Sequence, residues 1–229
     1  MLGNTLVSQA YHGLRQRIDA ASRIHGHPVS LLAVSKTQPA TAIAELAALG
    51  QRAFGENYVQ EALGKQRELA AAGDLQWHLI GPLQSNKARA VAEHFDWLQT
   101  LDREKLVEPL NRFRPDDAMP LNVLIQVNID AQDSKSGSAP AQVPALAQCV
   151  AAAPRLRLRG LMAIPEPAAD PAVRRNAFQR MRKLYDALKS TFPHIDTLSM
   201  GMSEDFELAI AEGATMVRIG TAVFGARDV

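Results

Sequence analysis

One cysteine, Cys149, stands in 229 residues. That scarcity excludes an intrachain disulfide and a zinc centre built from several thiolates. Cys149 lies in an apolar helical run and reads as packing. An excess of charge is equally absent: Lys and Arg total 25 against 24 Asp and Glu, a net charge of +1. A basic stripe for nucleic acid and a polybasic patch for an anionic membrane both lack their electrostatic footing. No stretch approaches the roughly 20 apolar residues of a bilayer-spanning helix. The N-terminal run is amphipathic and lacks the unbroken apolar core of a signal peptide. These absences point to a soluble chain in a reducing, cytoplasmic setting. There is also no GxGxxG after the first strand, no Walker loop, no Ser-His-Asp arrangement and no metal-ligand cluster. No linker rich in Pro, Gly or Ser divides the chain, so residues 1–229 are expected to form one domain.

What the chain has is alternation. Short apolar, β-branched runs at 31–35, 52–56, 76–81, 97–101, 121–129, 158–164, 197–202 and 216–224 are each followed by a helical pattern. One helix, 41–49, ends at Gly50. Another, 172–189, places Val173, Ala177, Phe178, Met181, Leu184, Tyr185 and Leu188 on one stripe, with Arg174, Arg175, Arg180, Arg182 and Lys183 mostly on a solvated face. A further helix, about 3–25, precedes the first strand. Eight strand–helix units after a leading helix predict a (β/α)8 TIM barrel. A doubly wound open sheet is the alternative.

In such a barrel, functional groups gather at the C-terminal strand ends. Lys36 closes the apolar first strand, before Thr37-Gln38-Pro39. An amine drawn out of water holds its proton less firmly and can form a Schiff base with a carbonyl compound, pyridoxal phosphate above all. A strand-end lysine also snorkels to solvent in many proteins. The same mouth should collect Asn57, His78, Asn128, Met162, Ser199, Met200, Gly201, Ser203, Arg218, Gly220 and Thr221. The run Ser199-Met200-Gly201-Met202-Ser203 leads into a helix beginning near Glu204, with Ser203 as its N-cap. Helix starts and glycine turns after strands seven and eight suit phosphate. His78, between Trp77 and Leu79, suits hydrogen-bonded packing better than catalysis. Glu56, Glu166 and Asp205 form no visible carboxylate pair. Lys135, in the polar segment 130–142, is a second amine near the mouth, or simply an exposed loop lysine.

Four segments together carry a resemblance. They are Leu32-Ala33-Val34-Ser35-Lys36-Thr37, Phe54-Gly55-Glu56-Asn57-Tyr58, Trp77-His78-Leu79-Ile80-Gly81-Pro82-Leu83-Gln84-Ser85-Asn86-Lys87, and Ser199 to Ser203 continuing to Val217-Arg218-Ile219-Gly220-Thr221. The chain resembles the pyridoxal phosphate homeostasis protein family, similar to the N-terminal barrel of alanine racemase. Leu79 departs slightly from the Phe or Met more usual there. The resemblance implies a covalent aldimine of pyridoxal 5'-phosphate (PLP) with Lys36, and Arg218 beside the pyridine nitrogen. It implies phosphate contacts from Ser199, Gly220, Thr221 and backbone around Met200; from the strand-end reading, Asn57, His78, Met162, Gly201 and Ser203 are expected around the same cofactor. It also implies a monomer that keeps vitamin B6 and amino-acid pools balanced, with apo-enzymes as possible recipients of the cofactor. Alanine racemase draws a second base, a tyrosine, from a separate domain of a partner chain. Here the sequence stops at Val229 and offers Tyr11, Tyr58 and Tyr185, of which only Tyr58 is expected near the mouth. Inversion needs proton exchange on both faces of a substrate, so the expectation is a cofactor carrier without substantial catalysis. A PLP-dependent amino-acid racemase or lyase is the alternative.

Overall fold

The computed structural model describes residues 6–131, 136–166 and 170–225. Its apolar runs become eight short strands: β1 (Ser30–Val34), β2 (Ala53–Glu56), β3 (Gln76–Leu79), β4 (Trp97–Leu101), β5 (Leu121–Gln126), β6 (Leu156–Met162), β7 (Thr197–Ser199) and β8 (Met216–Ile219). Each pairs in parallel with the next, and β8 returns to β1, closing the barrel in chain order. The β1–β8 seam aligns Ser30 with Met216 and Ala33 with Ile219. Nearly continuous hydrophobicity is what parallel strands buried on both faces require. The expected (β/α)8 barrel is the fold.

The connections are helical: α1 (Leu6–His25), α2 (Ala40–Ala48), α3 (Val59–Glu68), α4 (Ala88–His94), α5 (Val107–Phe113), α6 (Val143–Ala151), α7 (Pro171–Thr191), α8 (Phe206–Ala211) and α9 (Thr221–Phe224). Their apolar stripes join the strands in one large core that includes Ile18, Ile43, Phe178 and Phe206, with Cys149 packed against it. Helix α1 runs from Leu6; its expected start at residue 3 lies outside the described residues.

Several expected strand ends are too long, each for a local reason. The fifth leaves the ladder at Gln126, because Val127 bridges to Ser138 and the Asn128 N–H donates to the Ser138 carbonyl. Asn128 therefore lies beyond the strand. The sixth runs from Leu156 and stops at Met162. The seventh stops at Ser199, two residues before Gly201 takes φ +92°. A Cβ on Gly201 would come within 2.5 Å of the Ala209 Cβ, so only glycine permits this turn against α8. The eighth stops at Ile219, and Thr221 onward is helical. In α7, Val173 is exposed, so the apolar stripe begins at Ala177.

Helix α7 has a side-chain cap. The Asp170 carboxylate accepts from the Ala172 N–H at 2.8 Å, with Pro171 at the first helical position. Asp170→Ala is expected to cost about 1 kcal/mol, read as a fall in Tm of about 2–4 °C by calorimetry. An unchanged Tm would contradict the assignment.

Candidate functional site

Strand β1 delivers the chain to Ser35, which is buried, and Lys36, which is half-buried at the turn. Thr37 then adopts φ +64°. Among the described residues no hydrogen bond or ion pair engages Lys36 Nζ. The amine opens into a cavity of about 400 Å³ at the C-terminal end of the barrel. That volume lies within the range of small-ligand sites. Val34, Lys36, Asn57 and Ile80 line it from the first three units, and Ile164 and Pro165 from the sixth. The last two units supply the run from Met202 to Asp205, then Arg218, Gly220 and Thr221. Asn57 is set by a close approach: a Cβ on Gly81 would overlap the Asn57 carbonyl.

Arg218 is 4% exposed, yet no carboxylate lies within ion-pair distance of it among the described residues. Its guanidinium donates to Ser199 Oγ at 2.8 Å and to the Ala163 carbonyl at 2.8 Å. Burial pushes its pKa down to about 10, against the opposing field of Asp205. The group thus remains a cation at neutral pH, turned to the cavity with two neutral acceptors.

Behind Arg218 runs a chain of hydrogen bonds. Ser199 Oγ donates to Gln99 Oε1 at 2.8 Å. The Gln99 amide then donates to His78 Nδ1 at 3.0 Å. These side chains come from β8, β7, β4 and β3, so the chain crosses the barrel interior. His78 stacks on Trp97 at 5.0 Å, and Trp97 carries the Arg159 guanidinium at 4.5 Å. As an acceptor at Nδ1, His78 must be neutral. Burial first, and the Arg159 charge second, push its pKa down to about 3. Its Nε2 has no hydrogen-bond partner among the described residues.

Of the expected phosphate cradle, Ser203, Gly220 and Thr221 line the cavity. Among the described residues no backbone acceptor takes the N–H groups of Ser203, Gly220 or Thr221, all at the cavity wall. Two features correct it. Ser203 is not an N-cap: α8 starts at Phe206 with Asp205 in the cap position, and Asp205 Oδ1 accepts from the Met202 N–H at 2.7 Å. The Met200 N–H is already given to the Met216 carbonyl at 3.1 Å, so it is withdrawn from any ligand.

Six of the eleven expected site residues line the cavity: Lys36, Asn57, Ser203, Arg218, Gly220 and Thr221. His78, Met162, Ser199, Met200 and Gly201 are buried outside its lining. Lys135 lies outside the described residues. Arg174 was expected on a solvated face; instead it lines the cavity, with Nε buried and unpartnered among the described residues. It ion-pairs loosely with Glu204 at 3.5 Å and Asp205 at 3.9 Å. Its position one turn into α7, ahead of the apolar stripe, was the available signal.

With this geometry in view, relatives become informative. The family profile for the N-terminal domain of alanine racemase matches residues 11–228. The pyridoxal phosphate homeostasis protein of Escherichia coli K12 is 56% identical over 221 residues, covering 94% of each chain. Its namesake in Pseudomonas aeruginosa is 57% identical over 215 residues, covering 94% of this chain and 91% of that one. The chain belongs to the pyridoxal phosphate homeostasis protein family. PipY of Synechococcus elongatus, solved with PLP bound, superposes with a TM-score of 0.84 at 39% identity, over 96% of this chain and all of that one. Alanine racemase of Corynebacterium glutamicum shares the barrel alone, at TM-score 0.63 and 21% identity, over 93% of this chain and 61% of that one.

Within this family member, none of the three tyrosines lines the cavity. Tyr11 is buried against Gln51, and Tyr185 is buried with its hydroxyl on the Ile195 carbonyl. Tyr58, expected near the mouth, is 60% exposed and outside the lining.

His78 gives the site a pH signature. Its folded pKa lies below the value of 6.5 it has in an unfolded chain. Between pH 6.5 and about 3 the unfolded state binds a proton that the folded state refuses. Stability therefore falls as pH drops through that window, by up to about 1.4 kcal/mol per pH unit. His78→Gln is expected to flatten the decline, measured as urea midpoints from pH 7 to pH 4. Parallel curves for the two proteins would contradict a buried neutral histidine.

Proposed function

We propose that the protein binds PLP reversibly as an aldimine at Lys36 and buffers, protects or hands on the cofactor, with no substantial catalysis of its own. The observation that carries this reading is the placement of Lys36 and the unpaired Arg218 cation on one cavity wall. An unpartnered amine and an unpaired guanidinium suit a ligand with a carbonyl, a ring acceptor and an anionic tail. PipY, with PLP in its solved structure, supports the same assignment by likeness.

The residues divide the work. When bound, the cofactor supplies an aldehyde to which a neutral amine adds with loss of water, in a reaction that water reverses. Lys36 provides that amine. Arg218 would donate an N–H to the ring nitrogen and, as a permanent cation, would keep that nitrogen unprotonated, weakening electron withdrawal by the ring. The N–H groups of Ser203, Gly220 and Thr221, with the Thr221 hydroxyl, would hold the phosphate, and Asn57 and Ile80 would bound the ring. Ser199, Gln99 and His78 hold Arg218 from below, so they serve the ligand at one remove. Proton transfer on both faces of a substrate carbon needs two placed acid–base groups. Among the described residues the lining offers Lys36, Glu204 and Asp205 but no tyrosine, histidine or cysteine, and both carboxylates lie against the Arg174 guanidinium, which supports a carrier.

The reading extends to a chain that works as one domain and as a monomer, in the cytoplasm, with apo-enzymes as recipients. No helix among the described residues is long and apolar enough to cross a membrane.

Reduction with borohydride tests it. Protein loaded with PLP is expected to show a visible band and, after reduction, a phosphopyridoxyl adduct mapped by mass spectrometry to Lys36. Lys36→Ala should lose both. A wild-type protein with no band and no adduct at Lys36 would overturn the proposal.

A further inference from the structure

A lysine's direction is set by the two peptide planes that flank its Cα, and helix α3 grips both planes around Lys36. Lys65 Nζ donates to the Ser35 carbonyl at 2.7 Å, in the plane before Lys36. Glu61 Oε1 accepts from the Thr37 N–H at 2.6 Å, in the plane after it. The two gripping side chains are themselves ion-paired at 2.7 Å, one turn apart on α3. Behind them, Glu56 Oε1 accepts from Lys65 Nζ at 2.8 Å and from Ser35 Oγ at 2.6 Å. Glu56 is wholly buried and Lys65 nearly so. Burial pushes the Glu56 carboxyl above its ordinary range, while Lys65 and Ser35 pull it back.

This arrangement imposes a conformation the backbone would not choose. Thr37 is β-branched and sits at φ +64°, one of two non-glycine residues with positive φ among those described. Such a geometry is disfavoured for a branched side chain and persists only where its surroundings over-determine it. Here the surroundings are Glu61 and Lys65. Neither residue lines the cavity, so neither is positioned to touch a ligand there.

We propose that Glu56, Glu61 and Lys65 are positioning residues: they lock the peptide planes on either side of Lys36 and so aim its Nζ into the cavity. This rests on Lys36 being the amine that takes the cofactor. A buried ion pair adds little net stability over an apolar replacement. Its placement on these two planes points to a directional role instead. The clamp keeps the amine presented before any ligand arrives, so binding need not order the turn.

The test uses Glu61→Ala, since Glu61 is only partly buried and its loss leaves the fold's centre intact. The PLP dissociation constant should rise by about tenfold or more, as for other supporting-shell losses. The visible circular dichroism of bound cofactor should shrink, and reductive trapping at Lys36 should slow. The melting temperature of the ligand-free protein should move little. Glu61→Gln keeps an acceptor for the Thr37 N–H and should restore most of the signal. The pair Glu56→Gln with Lys65→Met removes both buried charges together and frees the Ser35 carbonyl, leaving only the partly exposed Glu61 without its cation; it should reproduce the loss. Wild-type affinity and dichroism in both disrupted variants would overturn the clamp while leaving Lys36 as the cofactor amine. Absence of any adduct in the wild type would overturn that reading and the clamp with it.

Discussion

The site depends on a buried guanidinium that has no carboxylate partner among the described residues. Taking a charge out of water is expensive, and a salt bridge is the usual compensation. Arg218 has instead a hydroxyl and a carbonyl, 2.8 Å away in each case. These neutral acceptors orient the cation without cancelling its charge. The unspent field is directed at the cavity that Lys36 shares. A carboxylate in the place of Ser199 would stabilise the arginine and remove its attraction for an electron-rich ring atom.

Neutral acceptors must themselves be held. Every bond in the ladder points one way, from Arg218 through Ser199 and Gln99 to His78. Aligned donors polarise one another, and the low dielectric of the interior strengthens each. The histidine can end the series only by remaining neutral, which burial ensures. On the other side of the cavity the same principle works with charges. Lys65 is shared between Glu56 and Glu61, and Lys65 and Glu61 grip the Lys36 turn. The closed barrel makes the first network possible, because Ser199 of β7 and Gln99 of β4 meet inside it; the second is built where α3 packs against β1 and β2.

Much of this was legible in the sequence, and the failures have physical reasons. Parallel strands with helical crossovers leave a regular apolar rhythm, so the barrel followed from alternation alone. Lys36, Asn57, Arg218, Gly220 and Thr221 were found because strand ends place side chains at the mouth. Strand ends themselves were overextended wherever an apolar run continued into a turn, as at Val127 and Phe224. Ser203 looked like a cap by residue type, but it belongs to a tight turn, two residues intervene before α8, and Asp205 takes that position. Arg174 was hidden because helical periodicity averages over a whole helix and says little about its first turn. The roles of Gln99 and Lys65 left no local mark. Each is defined by partners distant in sequence: Ser199 is 100 residues from Gln99, and Ser35 is 30 from Lys65.

Lys36 and the buried Arg218 cation, on one cavity wall, make a seat for a cofactor. The central claim is that this seat holds PLP without turning it over. Nuclear magnetic resonance of amino acids incubated with the PLP-loaded protein in deuterated water tests this most directly. The account predicts α-proton exchange no faster than with free PLP at the same concentration. Rapid exchange that disappears in Lys36→Ala would contradict it.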